Sequence, residues 1–306
     1  MSMLHTLSDL ALRYLPKRWF ITLRTNYFTL RRKLSPVMRL MHGTFDTESL
    51  RKHLEQHLDP NFEILMVHSS VNHMLPYYKG TPLELVHMLI DFCGPNRTLV
   101  MPAFYFGDPK IGSVVETFKA RPFFDLKKTP SQMGLITELF RRTRGVVQSR
   151  HPVYRVSALG PLAKELVDGH ENASGPAGFG SPFEYMATHK TLIIGIGKSF
   201  DVMTQVHYVD AVMADEFPVP RDNVRQDSNT QVMVLDDKEE IPVTLRGSGI
   251  QWRFNIAKLP KLLKEGDLKY WTFHNVSLFS AYAHIVTTSL IEAAKKGETL
   301  YDPNPK

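Results

Sequence analysis

One cysteine, Cys93, stands alone among 306 residues, so no internal disulfide and no cysteine-based metal cluster can form. Such usage suits a reducing cytosol and predicts a cytoplasmic protein. No apolar run approaches the ~18 residues of a membrane-spanning helix, and no signal-peptide pattern opens the chain. Phosphate-loop motifs are missing too: Gly195-Ile-Gly-Lys198 is too short for the Gly-x-x-x-x-Gly-Lys-Ser/Thr loop and reads as a strand-to-helix turn. Without a Gly-x-Ser-x-Gly elbow a serine hydrolase has no motif support. No metal is expected, because no third ligand lies at a characteristic zinc spacing from His207.

What is present is ordinary globular composition, 43% hydrophobic and 22% charged, with a net charge of +6. That charge is local. Residues 1–44 hold eight Lys/Arg against one acid, Asp9, which leaves the remaining chain close to neutral. The same segment interleaves Trp19, Phe20, Tyr27, Phe28 and several leucines, with Pro16 and Pro36 as helix interruptions. It reads as a basic amphipathic N-terminal arm. One expectation packs it as a helical arm on the body with its arginines in solvent; the other lays it on an anionic membrane surface. Nucleic-acid binding is not expected, since the body carries no recognition motif.

The body alternates helical and strand patterns. Helices are predicted over 44–57 (capped by Asp46 or Thr47), 82–92, 131–142, 161–168, 203–214 and 278–295. Buried strands are predicted at 62–67, 98–101 and 190–196, and a hairpin joins 230–235 to 240–245 through Asp236-Asp237-Lys238-Glu239. The fold class is therefore α/β: a central mixed, mostly buried sheet flanked by helices, with a late antiparallel hairpin and a helical arm. The tail, 302–306, is expected to fray.

Polar clusters follow buried strands at His68-Ser69-Ser70, Phe104-Tyr105 and after Gly197, where loops in open α/β sheets collect ligands. The sharper constellation is Asp201-x-x-x-x-x-His207-x-x-Asp210. On a helix His207 and Asp210 share a face, and a carboxylate beside an imidazole fixes its tautomer and stabilises the imidazolium. A surface ion pair is the alternative reading of the same spacing.

Taken together the segments resemble the aminoglycoside 3-N-acetyltransferase family, the antibiotic acetyltransferases that lie outside the GNAT superfamily. Leu65-Met-Val-His-Ser-Ser70 is similar to the family's first strand and serine turn, and Thr98-Leu-Val-Met-Pro102 to its second strand. Phe124-Asp125 with Thr129-Pro-Ser-Gln-Met-Gly134 resembles its Phe-Asp…Thr-Pro-Ser-x-Met-Gly signature. Ser149-Arg-His-Pro152, Ser157-Ala-Leu-Gly160, His170 and Gly180-Ser-Pro182 continue the order, and His207 falls on the histidine of a Leu-His-x-x-Glu motif. The likeness covers roughly residues 45–295. It implies an acetyltransferase domain over 45–300, between the 1–44 arm and a 301–306 tail. It implies direct transfer from acetyl-CoA, with His207 as base and Asp210 and Asp201 as its acids. Coenzyme contacts carry over onto Ser69, Ser70, Ser131, Met133 and Gly134, with Arg150 or Arg155 on the phosphates.

Three departures bear on the acceptor. Aspartate 210 replaces the motif's glutamate. Where many members carry an acidic stretch after the late hairpin, this chain reads Leu245-Arg-Gly-Ser-Gly-Ile-Gln-Trp-Arg253, which disfavours a polycationic drug. The basic arm lies outside the family pattern. An amino-sugar acceptor, phosphate-, nucleotide- or lipid-linked in cell-surface polysaccharide synthesis, is expected from these features. The alternatives are an aminoglycoside resistance enzyme and a non-catalytic coenzyme-A-binding protein of the same fold.

Overall fold

The computed structural model describes residues 26–27, 29–222, 229–246 and 249–303. Its strands are β1 Ile64–Ser69, β2 Thr98–Pro102, β3 Phe123–Asp125, β4 Val147–Gln148, β5 Val156–Leu159, β6 Thr191–Ile196, β7 Thr230–Asp236, β8 Glu239–Leu245, β9 Arg253–Phe254, β10 Leu268–Phe273, β11 Val276–Tyr282 and β12 Tyr301–Asp302. Seven of them form one sheet in the order β10-β11-β6-β1-β2-β5-β4. The three central strands run parallel, with Met66 opposite both Val100 and Ile193, and the strands on either flank are antiparallel. This is the mixed, buried sheet expected.

Both faces of that sheet are covered, which is why its central strands are apolar throughout. Ile64 and Met66 pack to one side with Val100, Ile193 and Phe279. Leu65 and Val67 pack to the other with Leu99, Met101, Leu192 and Ile194. Helices Pro182–Thr188, His207–Met213 and Ala283–Lys295 cover the first side through Phe183, Val209 and Val286. Helices Thr47–His57, Pro82–Cys93 and Leu135–Arg141 cover the second through Leu54, Leu89 and Phe140. Asp46 caps the first of these by accepting the Ser49 N–H at 2.8 Å, and Thr81 with Glu84 builds a capping box on the next. A third core, Phe118, Phe124, Val232, Val234 and Val243, lies under β3 and the β7–β8 hairpin. That hairpin closes through Asp237-Lys238, within the expected turn.

Three sequence expectations are corrected. Residues 278–282 belong to β11, inserted between β6 and β10, and the helix starts only at Ala283. Dense apolar residues there fit either period, and pairing with β6 decides. Phe279 lies opposite Gly195, where a Cβ would sit 2.1 Å from its ring, so the absence of a side chain is what admits it. The expected 131–142 helix begins at Leu135, because Gly134 holds φ +118°, outside helical space. The 203–214 helix is likewise split into a 3₁₀ turn, Thr204–Val206, and a helix that opens on His207 itself.

The described part of the arm is helical. Its last segment, Ser35–His42, carries Pro36 in the first turn and sets Met38 against the core. Residues 1–25 of the expected arm lie outside the described residues. At the other end, Asp302, expected to fray, pairs across β12–β9 with Arg253 and accepts bonds from Asn255 and Lys258. Residues 304–306 lie outside the description.

Candidate active site

His207 opens its helix at the first face of the sheet, with its side chain 30% exposed. One turn on, Asp210 presents Oδ2 at 3.7 Å from His207 Nδ1, beyond a hydrogen bond but within ion-pair range. The imidazole lies between two aromatic rings, Phe254 at 4.9 Å and Tyr154 at 6.3 Å between centroids. Tyr154 stacks in turn on Phe104, the second residue beyond β2. The ring thus packs against an aromatic cluster beyond the carboxyl ends of β2 and β6 while keeping an exposed edge.

Asp210 is held from two further sides. The Tyr301 hydroxyl donates to its Oδ2, and the Arg221 guanidinium donates to its backbone carbonyl. Burial, and then the neighbouring carboxylate, push the Tyr301 phenol well above its ordinary range, so its proton stays on oxygen and the donor is assigned. Burial also raises Tyr154, with Asp210 adding to it. Tyr301 reaches this place because β12 pairs with β9, setting Tyr301 opposite Phe254. Tyr154, Arg221, Phe254 and Tyr301 all escaped the sequence reading. None stands at a helical or strand spacing from His207, so only the pairing brings them in.

Two predicted residues are not brought to this cluster. Asp201 lies exposed on a 3₁₀ turn and accepts a hydrogen bond from the Ser199 hydroxyl; no contact joins it to His207. Arg150 is taken up by acids, with Asp236 at 2.9 Å, Glu239 at 3.2 Å and Glu171 at 3.7 Å. Arg155, the alternative phosphate contact, is fully buried and points inward.

The predicted coenzyme residues form two turns. Ser69 ends β1, and its buried hydroxyl finds no hydrogen-bond partner. Ser70 N-caps the short Val71–Met74 helix and bonds His73 Nδ1 at 2.9 Å. In the second turn Ser131 Oγ accepts the Met133 N–H at 3.1 Å and meets Thr137 at 3.0 Å. Around a Cβ added to Gly134 there is open space to 4 Å, so this turn offers bare backbone to a ligand. An orphaned hydroxyl and a bare glycine turn fit a polar, extended cosubstrate such as acetyl-CoA.

Arg155 fixes the second turn from beneath. Its guanidinium donates to the carbonyls of Ala103 (3.2 Å), Leu126 (2.6 Å) and Thr129 (3.0 Å), and burial pulls it down to about 9. Arg141 adds a bond to the Lys127 carbonyl while its other nitrogens grip Glu138. Replacing Arg155 by methionine strands three carbonyls, at about 1 kcal/mol or more each. We expect a stability loss of about 3 kcal/mol in urea unfolding, and an unchanged midpoint would refute the clamp.

His151 and His170 stack at 4.6 Å in the interior, with His170 bonded to Ser149 and to the Pro176 carbonyl. His151 Nδ1 accepts the Val153 and Tyr154 N–H groups, which orders the chain leading to Tyr154. Among the described residues, no group of three or more His, Cys, Asp or Glu side chains is placed to hold a metal. No described helix is long and apolar enough to cross a membrane.

The family model described as aminoglycoside 3-N-acetyltransferase matches residues 66–289. Aminoglycoside N(3)-acetyltransferase IV of a Salmonella species is 28% identical over 253 residues, covering 78% of this chain and 82% of that protein. Aminoglycoside N(3)-acetyltransferase IX of Micromonospora chalcea is 25% identical over 159 residues, and the match spans only 56% of its length. Two solved structures superpose with TM-scores of 0.68 and 0.67: AAC-VIa bound to sisomicin, at 22% identity over 83% of this chain and 99% of that one, and AAC-IIIb in a binary complex with CoASH, at 18% identity over 86% and 100%. These likenesses at low identity fix the fold, and the family match extends over most of the chain. The chain belongs to the aminoglycoside 3-N-acetyltransferase family.

Proposed function

We propose that the protein transfers the acetyl group of acetyl-CoA to the amine of an amino-sugar-like acceptor, with His207 as general base. The observation that carries this reading is the His207–Asp210–Tyr301 series, set among aromatic rings beyond the carboxyl end of β6 with the imidazole partly exposed. With Nδ1–H turned toward Asp210, Nε2 is left to take a proton from the acceptor ammonium or the attacking amine. The nitrogen lone pair adds to the thioester carbonyl, a C–N bond forms, the C–S bond breaks, and the thiolate leaves to be protonated. Asp210 stabilises the imidazolium so formed. Ser69, Ser70 and the Ser131–Gly134 turn hold the pantetheine arm, and Asp201 stands outside the proton path.

Tyr301 offsets the short side chain of Asp210 by bonding the oxygen that faces His207. Tyr301→Phe should lower kcat about tenfold, the effect of losing one charge-assisted hydrogen bond. The coenzyme KM should stay level. A variant as active as wild type would remove Tyr301 from the mechanism.

For the acceptor, Arg253 lies exposed next to Phe254, beside the imidazole, and Arg221 is drawn to Asp210. A sugar with one amine and a phosphate, nucleotide or lipid-phosphate substituent suits these cations better than a polycation does. Relatives are named for aminoglycosides, and the exposed Asp215 and Glu216 near the helix end favour that second reading. A panel of free and nucleotide-linked amino sugars beside gentamicin-type drugs separates the two; efficient turnover of the drugs would replace the first.

The arm extends the proposal to location. Leu30, Leu34, Val37, Leu40 and Met41 are exposed on its helical stretch, Leu40 by 88%, with Lys33 also in solvent. Such a face suits the boundary of an anionic leaflet and a peripheral position on the cytoplasmic side. Sedimentation with anionic vesicles, lost on deleting residues 1–44, is the result expected; equal pelleting of both forms would discard it.

A further inference from the structure

The arm has a second side, turned toward the body. Arg31, Arg32 and Arg39 line a cleft of about 380 Å³ against Asn72, Leu75 and Pro76. Arg31 Nη2 donates to the His73 carbonyl at 3.0 Å and Arg39 Nε to the Pro76 carbonyl at 2.9 Å, so both side chains are fixed in place. Arg31 Nε is buried and has no hydrogen-bond partner. Among the described residues none of the three arginines is paired with a carboxylate.

Three guanidinium groups around one small cleft repel one another, and two are held there by neutral groups, a carbonyl each and, for Arg31, the Tyr77 ring at 6.0 Å. Such a cleft is stabilised by an anion, and the guanidinium fork matches phosphate oxygens in particular. Its wall continues into the serine turn: His73, whose carbonyl Arg31 binds, is itself bonded to Ser70. The cleft therefore lies at the carboxyl end of β1, beside the residues proposed to hold the pantetheine arm. Arg150 is neutralised by three acids and Arg155 is buried, so neither arginine predicted for the coenzyme phosphates is available to them.

We infer that the Arg31–Arg32–Arg39 cleft binds the phosphate groups at the nucleotide end of the acetyl donor. The inference rests on the proposed use of acetyl-CoA. It gives coenzyme binding to a segment that precedes the family-matched residues 66–289. The arm is then part of the enzyme and not only an attachment to it.

The probe is 3′,5′-ADP, which carries the nucleotide end without the thioester, titrated into the full chain alongside coenzyme A. Arg32 is exposed, and among the described residues its side chain makes no hydrogen bond or ion pair, so Arg32→Ala and Arg32→Glu should leave the fold intact. Arg32→Ala should weaken 3′,5′-ADP about tenfold and Arg32→Glu by more, with KM for acetyl-CoA rising in step and KM for the acceptor unmoved. Arg32→Lys should restore most of the affinity. Unchanged 3′,5′-ADP binding in both variants, with wild-type turnover of acetyl-CoA, overturns the cleft assignment alone. A wild-type chain that binds neither coenzyme A nor 3′,5′-ADP overturns the donor reading along with it. Arginine-dependent binding of phosphatidic acid vesicles with no response to 3′,5′-ADP would assign the cleft to lipid phosphate and also overturn the inference.

Discussion

His207→Ala should lower kcat by two to four orders of magnitude while coenzyme affinity stays within about twofold. An acceptor amine is protonated near neutrality, and a positioned base is worth about 10²–10⁴-fold when it removes that proton. On the barrier this is about 3–5 kcal/mol. The expected signature goes beyond lost rate. With the imidazole gone, solution must supply the free amine, so the residual rate should climb with pH toward the amine's own pKa. The His207 side chain is 30% exposed, and Asp210 keeps its bond from Tyr301 when the imidazole is removed, so stability should hold. A kcat within threefold of wild type would end the role proposed for His207.

Stability should fall steeply as pH drops below 6.5, before the carboxylates take part. Burial lowers His68 to about 3, His170 to about 4 and His151 well below 6.5, with the Pro176 carbonyl opposing the shift at His170. All three are kept neutral in the folded state. As pH falls through 6.5 the unfolded chain takes up protons that the folded chain refuses, so unfolding gains ground; from 7.5 to 6.5 the three together cost only about 1 kcal/mol. From pH 6.5 to 5.5 each group costs about 1 kcal/mol, or about 3 kcal/mol together. Glu138 belongs to the opposite class. Burial raises it, but Arg141, the Ser131 N–H and Arg142 outweigh burial and hold it near 2, so its contribution is lost only below 4.5. Urea unfolding at pH 7.5, 6.5 and 5.5 isolates the histidines. The second interval should show about three times the loss of the first, and His170→Asn should reduce that second drop by a third. A flat profile down to pH 5 would contradict the buried neutral histidines.

The arm shows how composition and structure divide the work. Eight basic residues among the first 44 are plain in the sequence, and so is the alternation of charge with leucine and aromatic side chains. Their partition is not. Arg31 and Arg39 turn inward because the Val71–Pro76 segment offers them carbonyls, while Leu30, Leu34 and Val37 stay outside. No periodicity count distinguishes the arginine that faces a cleft from the one that faces water.

The same division holds at the site. Local physics was enough for β1, β2 and β6, whose apolar runs need cover on both faces, and for the helices expected over 44–57 and 82–92, which run Thr47–His57 and Pro82–Cys93 with Asp46, one of the two caps offered, on the first. It was enough as well to pair His207 with Asp210, since three residues along a helix is a neighbour by geometry. It could not tell that Asp201 looks elsewhere, that Arg150 is claimed by Asp236, Glu239 and Glu171, or that β11 is a strand. Nor could it foresee that Tyr301, ninety-one positions beyond Asp210, closes the cluster. Sequence determines what depends on neighbours a few residues apart: period, cap, turn and helical face. Tertiary structure alone decided which distant backbone supplies each partner, because hydrogen bonds and ion pairs are short-ranged in space and indifferent to separation along the chain.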